Sequence, residues 1–233
     1  MQTDPIKVDP RLYVALDLPD VQAAQALVDK LGDSVVSYKV GLQLLPLGGA
    51  EFGQRLKAQG KNVFYDFKLH DIGATVQKAT RSIATLGADL LTVHARPDVM
   101  ASAAAGRGES DLKILGVTVL TSLDKASLEE IGYKDSAQDL VMRRVDQALA
   151  AGIDGVVSSP LEAQNIRARV PDDFLVVTPG VRMRGGDKGD QIRIATPHDA
   201  LRFGASHIVV GRPITAASDP VAAAHAIISN MNS

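Results

Sequence analysis

The chain has no cysteine and no tryptophan, and aromatic residues make up only 4% of its 233 positions. Without cysteine there can be no disulfide, no thiolate nucleophile and no Cys-based zinc site. That composition fits the reducing cytoplasm. With so few aromatics there is no stacking platform for the bases of a single strand. A surplus of one charge is missing too. The net charge is −2 and no basic stripe is present, so a nucleic-acid partner is not implied. No apolar run reaches the roughly 18 residues that would cross a membrane, and the opening MQTDPIKVDP lacks the apolar core of a signal peptide. No set of His, Asp and Glu residues has metal-ligand spacing, so no metal is expected.

What the chain does have is a repeated alternation. Short β-rich runs occur at 12–16, 35–40, 62–67, 90–94, 113–120, 155–157, 175–178 and 207–210. Amphipathic stretches lie between them, among them 21–31, 52–58, 75–86, 137–150 and 161–170. Glycines at 32, 60, 87, 152 and 204 stand where a helix should stop before the next strand, a place where glycine takes a left-handed conformation without a Cβ clash. Strands that alternate with helices pair in parallel through right-handed crossovers. Eight such units in a chain of this length predict a single-domain (β/α)8 TIM barrel spanning 1–233. The competing fold, an open doubly wound sheet, lacks its Gly-x-Gly-x-x-Gly turn after the first strand.

In (β/α)8 barrels the site sits at the C-terminal ends of the strands. Asp17 ends the first strand, Lys39 lies near the end of the second, and Asp66 and Lys68 end the third. Residues i and i+2 of a strand face the same side, so Asp66 and Lys68 both point into the mouth. Buried charges are tolerated when they satisfy one another. An alternating Asp17–Lys39–Asp66–Lys68 tetrad would keep the lysines protonated and the carboxylates ionised. A lone strand-end ion pair is more often structural than functional, but four charges on three consecutive strands point to a site.

Across the mouth, the loops after strands 7 and 8 hold Arg182, the Gly-rich run RGGDKGD at 184–190, Gln191, and Gly211 followed by Arg212. Glycine lets backbone N–H groups approach an anion and arginine offers a bidentate fork, which together predict a phosphate site. Other polar residues receive plainer assignments. His198 and His207 are read as surface or packing residues, and His94 as a wall of the site. His70 lies inside the charged run, but its neighbours can act without it. Asp89 and Asp154 precede strands and so fall on the stability face of the barrel.

The run DFKLHDIGAT at 66–75 resembles the Asp-x-Lys-x-x-Asp-Ile-x-x-Thr signature of the orotidine 5′-phosphate decarboxylases. The blocks VALDLPD, YKVGLQL, VTVLTSLD, VVTPGVR, GDQIRIATP and VVGRPIT are similar to those of bacterial members, in the same order along nearly the whole chain. The chain departs at Gly73-Ala74, where bacterial members often carry Pro-Asn. The resemblance implies a homodimer in which Asp71 and Thr75 reach the neighbouring subunit's site. It implies decarboxylation of a small-molecule nucleotide, orotidine 5′-monophosphate, to uridine 5′-monophosphate, the last step of pyrimidine nucleotide synthesis. Lys68 would be the proton donor, with Asp66, Asp71 and Lys39 completing the catalytic network. Asp17 and Lys39 would bind ribose hydroxyls, Thr121 and Ser122 the pyrimidine edge, and Arg182, Gln191, Gly211 and Arg212 the phosphate. No cofactor has a role in that scheme.

Two rivals are weighed against this reading. The metal-dependent sugar-phosphate lyases, such as 3-keto-L-gulonate 6-phosphate decarboxylases, share the Asp-x-Lys-x-x-Asp core but typically end strand 2 in an acidic metal ligand. Lys39 at that position would repel Mg²⁺. A catalytically silent phosphate-binding barrel would leave the clustered charges of the mouth without a purpose.

Overall fold

A computed structural model describes residues 8–120, 123, 125–183 and 195–233. Its eight strands are β1 (Leu12–Ala15), β2 (Ser37–Gly41), β3 (Asn62–Leu69), β4 (Leu90–His94), β5 (Lys113–Val117), β6 (Gly155–Val157), β7 (Leu175–Thr178) and β8 (His207–Val210). Each pairs in parallel with the next, and β8 closes on β1, giving a closed barrel. The helices, in chain order, are α1 (Val21–Leu31), α2 (Gly49–Ala58), α3 (Gly73–Ala84), α4 (Pro97–Arg107), α5 (Lys125–Glu130), α6 (Ala137–Ala150), α7 (Ala163–Arg167), α8 (Pro197–Arg202), α9 (Arg212–Thr215) and α10 (Pro220–Met231). Among the described residues no helix is long and apolar enough to cross a membrane.

The period of two in each strand divides the apolar residues into two cores. Tyr13, Ala15, Phe64, Leu90, Leu115, Val177 and Val209 fill the barrel interior. Their neighbours of opposite parity, among them Val14, Tyr38, Val63, Tyr65 and Val176, pack outward against the helices. The Tyr13 and Phe64 rings meet edge to face, 5.7 Å apart, and plug the lower barrel. Polar residues that continue the inward parity therefore surface at the mouth. All five glycines expected to stop helices have positive φ, from 51° at Gly32 to 104° at Gly204.

The boundaries differ from the sequence reading in instructive places. The fifth strand stops at Val117 rather than continuing to Leu120, because its partner β6 has only three residues and the ladder ends at Val117–Val157. The second strand starts at Ser37, two residues late, since a 3-10 turn over Gly32–Ser34 precedes it. The third runs on to Leu69 through a shift of register against β4 between Tyr65 and Leu69. The helix expected over 161–170 is confined to Ala163–Arg167, between Pro160 and Pro171. Helix α4 lacked a legible stripe because four of its eleven residues are alanine, which gives little contrast between faces. It nevertheless packs tightly on α3: a Cβ on Gly106 would stand 2.4 Å from the Gln77 carbonyl oxygen.

Candidate active site

The register sets the site. Ala15, Lys39 and Phe64 lie level across β1, β2 and β3, and Gly41 lies level with Asp66. Lys39 and Asp66 therefore enter the mouth one step apart, and Asp17 joins them from the end of β1. Lys39 Nζ stands 3.1 Å from an Asp17 carboxylate oxygen and 3.4 Å from Asp66 Oδ2. Lys68 Nζ stands 2.8 Å from Asp66 Oδ1. The expected tetrad forms, in the expected alternating order. Its inner members are well covered, with side-chain exposures of 8% for Lys39 and 15% for Asp66. Burial pushes the Asp66 carboxyl up, but Lys39, Lys68 and hydrogen bonds from Lys68 and Thr92 outweigh it, holding the group below the usual carboxylate range.

Two residues that the sequence reading passed over hold this arrangement. Thr92 donates its hydroxyl to Asp66 Oδ1 at 2.8 Å and accepts the Lys68 backbone N–H at 3.0 Å. It thereby bridges the register shift between β3 and β4. Gly41 lines the same rung: a Cβ there would lie 2.7 Å from Asp17 Oδ1 and 2.8 Å from Lys39 Nζ. A side chain there would push the flexible ends of Asp17 and Lys39 out of their present positions. The signals existed, a hydroxyl inside an apolar strand and a glycine two residues past Lys39, but neither has meaning until the strands are aligned.

Lys68 has φ 49°, the only positive φ outside glycine among the described residues. A side chain in the left-handed region costs roughly 1–2 kcal/mol. Such strain gathers where surrounding structure dictates a functional geometry. Here it turns the Lys68 ammonium back onto Asp66 at the point where β3 shifts register.

The opposite wall comes from β7 and β8. Arg182 is buried and donates to the Val181 carbonyl at 2.8 Å. Gly211 and Arg212 follow β8, where Arg212 opens the short α9. One cavity of about 410 Å³ is lined by Asp17, Lys39 and Asp66 on one side and by Arg182, Gly211 and Arg212 on the other. Gly180, just past the end of the seventh strand, also lines it, as do Gln43 and Thr215, which the sequence did not single out. Thr121, Ser122, Gln191 and the 184–190 run lie outside the described residues.

Asp71 and Thr75 do not join the tetrad. Both are exposed, and Asp71 accepts the Ile72 backbone N–H at 2.6 Å. Gly73 opens α3 beside α4, and a Cβ there would lie 2.6 Å from Ser102 Oγ. Behind Lys68, the His70 and His94 rings are 4.7 Å apart. Burial pushes His94 below the usual histidine range, with His70, Arg144 and Lys68 adding to the effect. His207 behaves as the packing residue expected, its ring 5.8 Å from that of Tyr13 at the bottom of the barrel. Among the described residues no group of three or more His, Asp or Glu side chains could hold a metal ion.

A closed eight-stranded barrel with a buried, alternating lysine–aspartate network facing arginines across one cavity defines a (β/α)8-barrel enzyme with its site at the strand ends. Residues 10–227 match the family described as Orotidine 5′-phosphate decarboxylase / HUMPS, and the chain belongs to it. It is 58% identical over 227 residues to the orotidine 5′-phosphate decarboxylase of Caulobacter vibrioides, an alignment covering 96% of this chain and 97% of that one. It is 53% identical over 228 residues to the enzyme of the same name from Rhodopseudomonas palustris, covering 98% and 97% respectively. The crystal structure of orotidine 5′-phosphate decarboxylase from Lactobacillus acidophilus superposes with a TM-score of 0.84 at 38% identity, covering 95% of this chain and 99% of that one.

Proposed function

We propose that this protein decarboxylates orotidine 5′-monophosphate to uridine 5′-monophosphate and CO₂, as a cytoplasmic, metal-free homodimer supplying pyrimidine nucleotide. The observation that carries this reading is the Lys39 ammonium, which occupies the space between the Asp17 and Asp66 carboxylates. The family includes metal-dependent sugar-phosphate lyases, and an ammonium in that place repels a divalent cation. The relatives named above, all orotidine 5′-phosphate decarboxylases, support the same choice.

The chemistry follows from the site. When the C6–carboxylate bond breaks, its electron pair stays on C6 in the plane of the pyrimidine, where the ring π system cannot delocalise it. The site must stabilise a localised carbanion. Lys68 does so with a positive charge placed before the reaction begins, then transfers a proton from Nζ to C6. Asp66 holds Lys68 charged and oriented at 2.8 Å. Asp17 and Lys39 bind ribose hydroxyls, and Thr121 and Ser122 bind the pyrimidine edge. Arg182, Gln191, Gly211 and Arg212 hold the phosphate, and binding energy gained there is used at the distant reacting centre.

Asp71 and Thr75 complete the partner subunit's site. Their exposure outside their own cavity supports this role. Exposed apolar side chains at the same end of the barrel support a partner: Ile72 is 68% exposed and Leu42 53%.

The test is to mix the purified protein with orotidine 5′-monophosphate and follow the ultraviolet absorbance, with and without EDTA. Conversion to uridine 5′-monophosphate that EDTA leaves unchanged is expected. Binding without turnover would favour a silent phosphate-binding barrel, and collapse in EDTA would favour the metal-dependent branch.

A further inference from the structure

The segment joining Lys68 to Asp71 is gripped from outside by a chain of polar contacts that the reaction scheme does not use. Arg96, between β4 and α4, is fixed by a fork onto Asp98, with Nε and Nη2 donating to its two carboxylate oxygens at 2.7 and 2.8 Å. Its free edge turns to the 68–71 segment. Nη1 meets His70 Nε2 at 3.1 Å and Nη2 reaches the Asp71 carbonyl oxygen at 3.5 Å.

A guanidinium has donors and no acceptor. His70 Nε2 must therefore present a lone pair to Arg96, and its proton must sit on Nδ1. The contact exists only with a neutral ring. A protonated ring would point an N–H at the guanidinium and add a like charge. The groups around His70 offer no relief. Lys68 from β3 is paired with Asp66, Arg143 from α6 is paired with Asp135, Arg96 and Arg144 are further cations, and His94 from β4 is held toward its neutral form. Of the nearby carboxylates, Asp98 is committed to Arg96 and Asp71 accepts the Ile72 N–H.

We propose that His70 is a positioning residue: neutral His70 and Arg96 form a clamp that sets the path from Lys68 to Asp71, and protonation of His70 releases it. The proposal rests on the decarboxylase reading, in which Lys68 serves one site and Asp71 the other. The clamp therefore couples the geometry of two active sites through one three-residue span. Its sign is fixed. The clamp is present when the imidazole is neutral and is lost when the ring takes a second proton, because Nε2 then has no lone pair to offer Arg96.

The test compares pH profiles of kcat/KM for the unaltered enzyme, His70→Gln and His70→Ala, with circular dichroism as a check on folding. Glutamine can accept from Arg96 through its amide oxygen and does not titrate. His70→Gln should keep turnover near neutral pH and lose one ionisation from the acid limb. His70→Ala should remain folded and lose about 10- to 100-fold in kcat/KM, the scale of a misplacement of about 1 Å. An acid limb unchanged in His70→Gln, or full activity in His70→Ala, would overturn the proposal. The ¹⁵N spectrum of His70 in the unliganded protein supplies a readout independent of substrate. A lone pair on Nε2 at neutral pH is expected, and an Nε2–H ring there overturns the clamp. Absence of orotidine 5′-monophosphate turnover in the unaltered enzyme would overturn the reaction instead, so the two readings fail separately.

Discussion

The two ends of this barrel use the same ion-pair chemistry for different ends. At the N-terminal face, Asp89 accepts the Val63 backbone N–H at 2.6 Å as well as Lys57 Nζ at 2.8 Å. Asp154 accepts the Ile114 N–H at 2.8 Å and pairs with Arg107 and Lys113. Those carboxylates satisfy the amide of the second residue of β3 or β5 and fasten that strand to a cationic side chain beside it. At the mouth, neither Asp17 nor Asp66 accepts a backbone N–H among the described residues. They contact the lysines, Thr92 and the cavity. Asp89 and Asp154, each tied to a strand amide, belong to stability, whereas Asp17 and Asp66, turned to the lysines, Thr92 and the cavity, are available for chemistry.

The comparison can be broken or sharpened at both ends. The largest effect on stability is expected from acid at the lower end. Burial pushes the His207 imidazole down to about 4, with Arg11 adding to the effect. A histidine depressed in the folded state is protonated first in the unfolded chain. Stability is therefore full above the ordinary histidine value and is lost as pH falls toward the folded one, by about 3 kcal/mol in all. Urea unfolding at pH 7 and pH 4 should show this loss, and His207→Leu should remove most of it. An equal loss in that variant would refute the assignment.

Asp154→Ala is expected next, at about 1.5–3 kcal/mol of stability, because it strands both the Ile114 amide and Arg107. Its kcat should stay close to that of the unaltered enzyme, and a large fall in kcat would erase the contrast between the two ends. Arg212→Ala should raise KM for the phosphorylated substrate by about 10- to 100-fold, the loss of a charged hydrogen bond, while the melting temperature stays put. Gly41→Ala should have the smallest effect, about 10-fold in kcat/KM, because its methyl displaces the flexible ends of Asp17 and Lys39 rather than the backbone. A lowered melting temperature with normal turnover would mean that Gly41 serves the fold instead.

Much of this was legible before the strands were assembled. The alternation of apolar runs with glycine-terminated helices specifies the barrel, because strand period, helix period and glycine stops are local properties. Asp66 and Lys68 were legible as neighbours because they stand two apart at a strand end, although a left-handed Lys68 completes their contact. Gly41 and Thr92 were not, because their meaning is a distance to another strand. The left-handed Lys68 and the shift of register beside it were hidden for the same reason: no local pattern encodes a break that depends on the neighbouring strand. Helix α4 was overlooked because alanine gives little contrast between its buried and exposed faces, so Arg96 at its start carried no signal. The run containing Asp71 reads as one motif, yet the fold separates its charges: Asp66 and Lys68 turn into the mouth and Asp71 remains exposed outside it.

Lys68→Ala, assayed for turnover of orotidine 5′-monophosphate and for thermal unfolding on the same sample, tests the central claim most directly. In the proposed reaction Lys68 contributes charge and a proton, and among the described residues its side chain satisfies no backbone group. The account predicts a loss on the order of 10³- to 10⁴-fold in kcat/KM with a melting temperature at or above that of the unaltered protein. Turnover close to that of the unaltered protein would contradict it.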